Sequence, residues 1–171
     1  MGNYSRYFSH TELYHPDDVP PPVAQTELRF LARGVLDPLR EANGGPLEST
    51  SGYRGVEHNR RVGGASDSQH LYGTADDVRD QTERHSGLEL FLMAMRLHPM
   101  RVHLPSGNER IVVIGGCGLY YNEDELGKFI HVDSRPRVNG CITTWYFDGS
   151  RYVDLPGYVQ EILHREGIAF C

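Results

Sequence analysis

The sequence predicts an α+β fold in a single domain. Helical and extended patterns follow one another irregularly, without the regular strand–helix–strand alternation of a parallel α/β protein. The length of 171 residues is that of one ordinary domain, and no repeat, low-complexity tract or linker divides the chain. We therefore expect one domain over residues 1–171, in which residues 1–23 form an N-terminal helix and a proline-rich lead-in.

Composition and charge exclude several classes of function. Apolar residues make up 39% of the chain and charged residues 23%, as in soluble globular proteins. The net charge is -6 and the seventeen Lys and Arg residues are scattered, so we expect no nucleic-acid partner. Apolar runs fall short of the roughly 20 residues of a membrane span, and the N-terminus lacks the pattern of a secretory signal. We expect no membrane insertion and a cytoplasmic location on synthesis.

The cysteines show no pattern that indicates a chemical role. Cys117, Cys141 and Cys171 lie far apart and have no paired spacing. We expect buried, reduced thiols rather than a disulfide framework or a cysteine-based zinc site.

The N-terminal half predicts two helices. Ser9 followed by Glu12 is a capping-box pattern and predicts a short helix that ends before Pro16. Apolar residues at helical spacing then predict the main helix, from about Ala24 to Ala42. The glycines and the proline that follow this segment end it.

The rest of the chain predicts four strands and two further helices. In chain order they are a strand at 48–51, a helix at 87–98, strands at 111–114, 129–133 and 142–147, and a closing helix at 159–165. In the tail, Trp145, Tyr146 and Phe147 are expected to pack in the core.

A dense run of small and polar residues over 51–77 indicates a shaped loop. Zinc takes about four tetrahedral ligands, and a hydrolytic site keeps one position for water, so three His or Asp ligands suffice. His70 and Asp77 are candidates for two of them. Gly73 between them permits the sharp turn that would let both side chains converge.

A third candidate ligand lies in the strand predicted at 129–133. Such a strand places His131, Asp133 and Arg135 on one face. This polar row is costly to bury unless each member has a partner, and a metal would provide one for His131 and, directly or through water, for Asp133. An isolated histidine is more often a surface or hydrogen-bonded core residue, so spacing alone leaves the metal site open.

Taken together, these motifs closely resemble the zinc D-alanyl-D-alanine carboxypeptidases of the hedgehog-like D,D-peptidase superfamily. The residues that carry the resemblance are Ser51-Gly52-Tyr53-Arg54, Asn59, Gly63-Gly64-Ala65, the pattern Ser68-x-His70-x-x-Gly73-x-Ala75-x-Asp77, and Phe129-Ile130-His131-Val132-Asp133. The resemblance extends from about residue 7 to 137. It implies a small antiparallel sheet with helices packed around it, and Zn²⁺ held by His70, Asp77 and His131.

The resemblance also implies roles for residues around the metal. Arg54 would reach the substrate's carboxylate or carbonyl, and the alternative is that it pairs with a local carboxylate. Ser68 would contact substrate or brace its loop. Several relatives carry a catalytic Asp or Glu three residues before the last zinc histidine, where this chain has Lys128. Asp133 is therefore a candidate for the general base or, equally, for the acceptor that orients His131.

The expected function is zinc-dependent hydrolysis of D-amino-acid-containing peptide bonds in bacterial peptidoglycan, with stem peptides or short D-alanyl peptides as substrates. Whether the enzyme is a carboxypeptidase or an endopeptidase depends on loops that close the groove, such as 104–108. Release as a phage-type lysin would bring the chain to the wall. Two alternatives stay open: a cytoplasmic D-Ala-D-Ala dipeptidase, and a zinc-binding recognition module without hydrolysis, which Lys128 motivates.

Overall fold

The computed structural model describes residues 4–120 and 129–171 and has the predicted α+β architecture. The helices are α1 His10–Leu13, α2 Pro22–Leu31, α3 Asp37–Asn43, α4 Val56–Arg61, α5 Gly87–Met95 and α6 Gly157–Arg165. The strands are β1 Leu47–Ser51, β2 Ala75–Asp80, β3 Met100–His103, β4 Glu109–Val112, β5 Gly116–Tyr120, β6 Ile130–Asp133, β7 Thr143–Phe147 and β8 Tyr152–Val153. Among the described residues, none of the helices has the length and apolarity that crossing a membrane would require.

The main sheet has six strands in the order β1-β2-β6-β5-β7-β8. Every neighbouring pair is antiparallel except β5 and β7, which run parallel. Strands β3 and β4 form a separate antiparallel hairpin. The small, mostly antiparallel sheet that the family resemblance implies is thus confirmed, with one parallel pair added.

The predicted main helix is interrupted by a π-helical turn, Ala32–Leu36, which joins α2 to α3. Within this turn the backbone N–H of Asp37 donates to the carbonyl of Ala32, five residues earlier. Pro38 follows directly, and a proline has no N–H to donate and its ring clashes with the carbonyl four residues before it. The wider π register accommodates that ring. The helix ends at Gly44, whose φ of 66° suits glycine.

The hydrophobic core lies between one face of the sheet and the helices. Val78, Leu119, Ile130 and Val132 point into it from three adjacent strands and are fully buried. Helix α5 packs against these strands, and the main helix packs against α5. Because side chains alternate along a strand, the residues between these apolar ones face the opposite side of the sheet.

The prediction of reduced cysteines is wrong for two of the three. Cys141 and Cys171 form a disulfide across 30 residues of sequence. The C-terminal residues return alongside the start of β7, where the N–H of Cys171 donates to the carbonyl of Ile142 at 2.9 Å. Linear spacing carries no information about this approach, which the fold creates. Cys117 is buried and free, as expected.

Candidate metal centre

A single row of residues crosses five strands at the level of the site. Pairing across the sheet sets these residues opposite one another in the order Ser51, Asp77, His131, Gly118 and Trp145. Residues directly opposite on neighbouring strands place their side chains on the same face. This face is the one turned away from the core, so two of the predicted ligands lie side by side on it.

His70 reaches this row from a single 3₁₀ turn, Gln69–Tyr72, just before β2. The turn ends at Gly73, whose φ is 73° and where a side chain would collide with the carbonyl of Ala24. The Nδ1 atom of His70 hydrogen-bonds the carbonyl of Gly52 at 2.7 Å. Because a carbonyl only accepts, Nδ1 carries the proton and Nε2 is left with its lone pair facing the site.

Three candidate ligand atoms form a compact triangle. The Nε2 atom of His70 lies 3.1 Å from Nδ1 of His131 and 3.3 Å from Oδ1 of Asp77, and those last two atoms are 3.0 Å apart. Tetrahedral zinc ligands at about 2.0–2.1 Å from the metal are separated from one another by about 3.3 Å. All three residues are buried. The donor set and its spacing therefore fit Zn²⁺ with one coordination position left over.

The environment shifts the protonation of these ligands. Burial lowers the pKa of His70. Burial would raise the pKa of Asp77, but the two histidines outweigh this effect and hold that pKa well below its usual range. Burial opposes protonation of His131, yet its hydrogen bonds to Asp133 and Asp77 raise its pKa to about 9. Asp77 is therefore already in the anionic form that a metal ligand requires.

Asp133 sits behind His131, on the far side of the ring from the other ligands. Its Oδ2 atom is 3.1 Å from Nε2 of His131. The Nε of Arg135 donates to both of its oxygens at 2.8 Å, and Asp133 is fully buried. Burial would raise the pKa of Asp133, but bonds from His131 and Arg135 lower it. This placement suits an acceptor that orients His131 better than a base that meets substrate.

Arg54 pairs with one of the candidate ligands. Its Nη2 donates to Oδ2 of Asp77 at 3.0 Å, so the local pairing that the sequence left open is present. Its Nε is buried and has no hydrogen-bond partner among the described residues. Ser68 lines a cavity beside the two histidines. Lys128, which occupies the position of a catalytic Asp or Glu in several relatives, lies outside the described residues.

Two cavities meet above the site and form one groove. The first, of about 640 Å³, extends from Asp77 along the end of β1 towards α1. The second, of about 440 Å³, contains His70 and His131. The two share the lining residues Arg54, Gly63, Gly64, Tyr120 and Tyr152. The turn at 104–108 lines neither cavity, so the groove is bounded by other segments.

The expectation of a core position is wrong for Trp145 and Phe147, whereas Tyr146 does pack against the core. Trp145 and Phe147 are half-buried and share the face of His131 rather than the core face. The indole of Trp145 lies over Gly118, where any side chain would collide with it, and its ring centroid is 5.1 Å from that of His131. The alternation of Thr143, Trp145 and Phe147 along one strand face was the available signal.

Comparison with known proteins agrees with this geometry. A family model described as Peptidase M15 matches residues 18–104, just over half of the chain, and this stretch contains Arg54, Ser68, His70 and Asp77. A zinc D-Ala-D-Ala carboxypeptidase from Streptomyces albus G is 33% identical over 97 residues, which are 54% of this chain and 37% of that protein. The match thus spans well under half of the relative's length. The chain belongs to the Peptidase M15 family.

Proposed function

We propose that this chain is a zinc peptidase that hydrolyses D-amino-acid-containing peptide bonds of bacterial peptidoglycan. His70, Asp77 and His131 would hold the Zn²⁺. The observation that carries the proposal is the triangle of ligand atoms, with edges of 3.0, 3.1 and 3.3 Å, set in the floor of a groove. Family membership and the name of the Streptomyces relative support the same chemistry.

Zinc with three protein ligands supplies Lewis acidity, which polarises a carbonyl and makes water a stronger nucleophile. The protein's own part is to keep the ligands in place. We assign Asp133 to the orientation of His131, because its oxygens are engaged by His131 and Arg135 on the side away from the triangle. Asp77 would contribute negative charge and, through Oδ2, would hold the guanidinium of Arg54 at the site.

Arg54 is the proposed anchor for the substrate. It lines both cavities, and its Nε is buried without a partner among the described residues. A buried donor left unpaired is costly, and a carboxylate or carbonyl oxygen of a substrate would satisfy it. Ser68, which lines the second cavity only, is the proposed second contact.

The groove favours substrates longer than a dipeptide. It continues on both sides of Arg54, along the end of the edge strand β1 in one direction and past Trp145 in the other. A free dipeptide would leave most of this volume unfilled. We therefore favour stem peptides or their cross-links over free D-alanyl-D-alanine, and endopeptidase activity alongside carboxypeptidase activity.

The disulfide supports action outside a reducing cytosol. Cys171 is exposed and its partner Cys141 is half-buried, so both are accessible to reductant. Disulfides of this kind persist in oxidising surroundings such as the bacterial cell surface. Release as a phage-type lysin is one route by which the chain would reach its substrate.

The test is hydrolysis by zinc-loaded protein of three substrates: purified peptidoglycan, a stem pentapeptide and free D-alanyl-D-alanine. Mass spectrometry of the products identifies the bond. We expect cleavage of the first two substrates beside a D-residue, and loss of that cleavage on chelation. His131→Ala should abolish hydrolysis, whereas His103→Ala, at an exposed histidine of the separate hairpin, should leave it unchanged.

Each other outcome selects a different function. Hydrolysis of the dipeptide alone would identify a D-Ala-D-Ala dipeptidase. Stoichiometric binding of zinc and stem peptide without turnover would identify a recognition module. Undiminished hydrolysis by His131→Ala would contradict the proposed metal site.

A further inference from the structure

Four aromatic side chains form a continuous surface beside the metal site. They are Tyr120 at the end of β5, Phe129 just before β6, Phe147 at the end of β7 and Tyr152 at the start of β8. We call them the aromatic wall. The rings of Tyr120 and Phe129 stack with centroids 4.6 Å apart, and Phe147 and Tyr152 lie 5.1 Å apart. Tyr120 joins the two pairs, at 5.8 Å from Phe147 and 6.2 Å from Tyr152.

The aromatic wall lies on the same face of the sheet as the metal ligands. Gly118 is paired with His131, and Tyr120 follows two positions later on the same strand, so its side chain points to the same side. Tyr120 and Tyr152 line both cavities of the groove, and Phe129 lines the larger one. The family model ends at residue 104, so the family match assigns nothing to this surface.

Tyr152 shows that the aromatic wall is open to a ligand. It remains 64% exposed although its ring contacts two other aromatic rings. Large aromatic side chains exposed at the rim of a groove are characteristic of binding surfaces, since they offer rigid apolar area with a polar tip.

The chemistry of the proposed substrate indicates what this surface binds. Stem peptides carry small, acidic or basic side chains, and none of these is chemically complementary to a flat, uncharged aromatic surface. The glycan to which each stem peptide is attached consists of neutral pyranose rings, each with a face of C–H groups edged by hydroxyls. Such a face packs against aromatic rings, and tyrosine hydroxyls can bond the sugar's edge.

We propose that the aromatic wall binds the pyranose ring of an N-acetylated amino sugar, and so holds the glycan strand beside the bond to be cut. The proposal rests on the proposed function for its choice of substrate. Binding to the wall does not itself require hydrolysis, so the two can be tested apart.

Trp145 provides a direct readout of sugar binding. It is the one tryptophan of the sequence, and its Nε1 donates to the hydroxyl of Tyr120 at 3.4 Å. Titration of the zinc-loaded protein with a tetramer of N-acetylglucosamine should produce a saturable change in tryptophan emission. Tyr152→Ala should weaken that binding about tenfold, the effect of losing one stacked ring. Tyr158→Ala, at an exposed tyrosine of α6 that lines neither cavity, is the matched control.

Hydrolysis provides the second readout. The wild type should cleave a stem peptide carried on its disaccharide with a higher kcat/KM than the free peptide, and Tyr152→Ala should lower kcat/KM about tenfold more for the disaccharide-linked peptide than for the free peptide. No saturable emission change with the sugar tetramer would overturn the proposal, whether or not the protein hydrolyses peptides. Equal losses on both substrates would overturn it too, and would make the wall a peptide subsite.

Discussion

At the scale of single residues, the site depends on side chains whose two polar atoms contact different partners. Asp77 directs Oδ1 to the two histidines and Oδ2 to Arg54. His131 directs Nδ1 to the ligand triangle and Nε2 to Asp133. Each of these buried groups is therefore oriented from two sides, which fixes the ligand geometry before the metal binds.

Replacing Arg54 by lysine tests the substrate anchor. Lysine keeps the charge but loses the planar fork, so kcat/KM on a stem pentapeptide with a free C-terminal carboxylate should fall about 10- to 100-fold. The same peptide with a C-terminal amide should show a smaller fall, because the lost partner is the carboxylate. Zinc content should not change. An equal fall on both peptides would mean that Arg54 acts through Asp77 alone.

Replacing Asp133 by asparagine separates orientation from proton transfer. Asparagine keeps the shape but loses the charge that holds His131, so zinc affinity should fall about 10- to 100-fold. Competition with a chromophoric chelator at fixed pH measures this affinity. Asp148→Asn, on the turn between β7 and β8, is the control and should leave the affinity unchanged. Full zinc affinity with hydrolysis lost would instead restore Asp133 as the base.

The candidate site could be predicted from the sequence because its residues lie in motifs whose spacing matches that of the family. His70, Asp77 and His131 were all named from motifs, and the structure brings their ligand atoms together. Trp145 was expected in the core, because alternation along the strand separates its two faces but does not say which of them faces the metal ligands. Its position follows from the parallel pairing of β5 with β7, which short-range patterns do not specify.

At the scale of elements, amphipathic helices were predictable and polar strands were not. The main helix follows from its apolar spacing. Strand β2 appeared to be a loop because it contains four charged residues, yet most of it is buried, and Ser49 donates to Asp76 at 2.7 Å from the neighbouring strand. Strand β5 contains two glycines because a side chain at Gly116 would collide with Asp133 and one at Gly118 would collide with Trp145. Partners distant in sequence therefore determine both strands.

The turn that ends β2 predicts a pH dependence of stability. Burial would raise the pKa of Asp80, but hydrogen bonds from Thr82 and from the His85 backbone outweigh it and lower that pKa to about 2. The unfolded value is about 4, so ionised Asp80 stabilises the fold fully above that pH and loses its contribution as the pH falls through about 2. Asp80→Asn should therefore cost roughly 1–3 kcal/mol at pH 7.

Urea unfolding of both proteins from pH 7 down to pH 2.5 measures this effect. The difference in free energy of unfolding between wild type and Asp80→Asn should shrink below about pH 4. A difference that stays constant over this range would show that the carboxylate charge contributes nothing.

At the scale of the whole molecule, the disulfide ties the C-terminal segment to the strand that carries Trp145. The N–H of Thr144 donates to the carbonyl of Cys171 at 2.7 Å, directly beside the cross-link. Reduction should therefore lower stability and loosen the aromatic side of the groove. The expectation of one domain over 1–171 stays a prediction.

Removal of the cross-link measures its contribution. In the chain-entropy model, closing a loop of about 30 residues stabilises a fold by roughly 3–4 kcal/mol. The Cys141→Ser/Cys171→Ser double variant should have a lower Tm than the wild type, and dithiothreitol should lower the Tm of the wild type but not that of the double variant. Cys117→Ser should keep the response to dithiothreitol, because Cys117 is not cross-linked. Equal Tm values for wild type and the double variant would contradict this role.

The measurement that bears most directly on the central claim is the zinc stoichiometry of the purified protein and its ligand variants, by elemental mass spectrometry after dialysis. We expect one zinc per chain in the wild type and in His103→Ala. The His70→Ala, Asp77→Ala and His131→Ala variants should retain far less, with an unchanged fold by circular dichroism. One zinc per chain in all three would show that the metal is held elsewhere and would contradict the account.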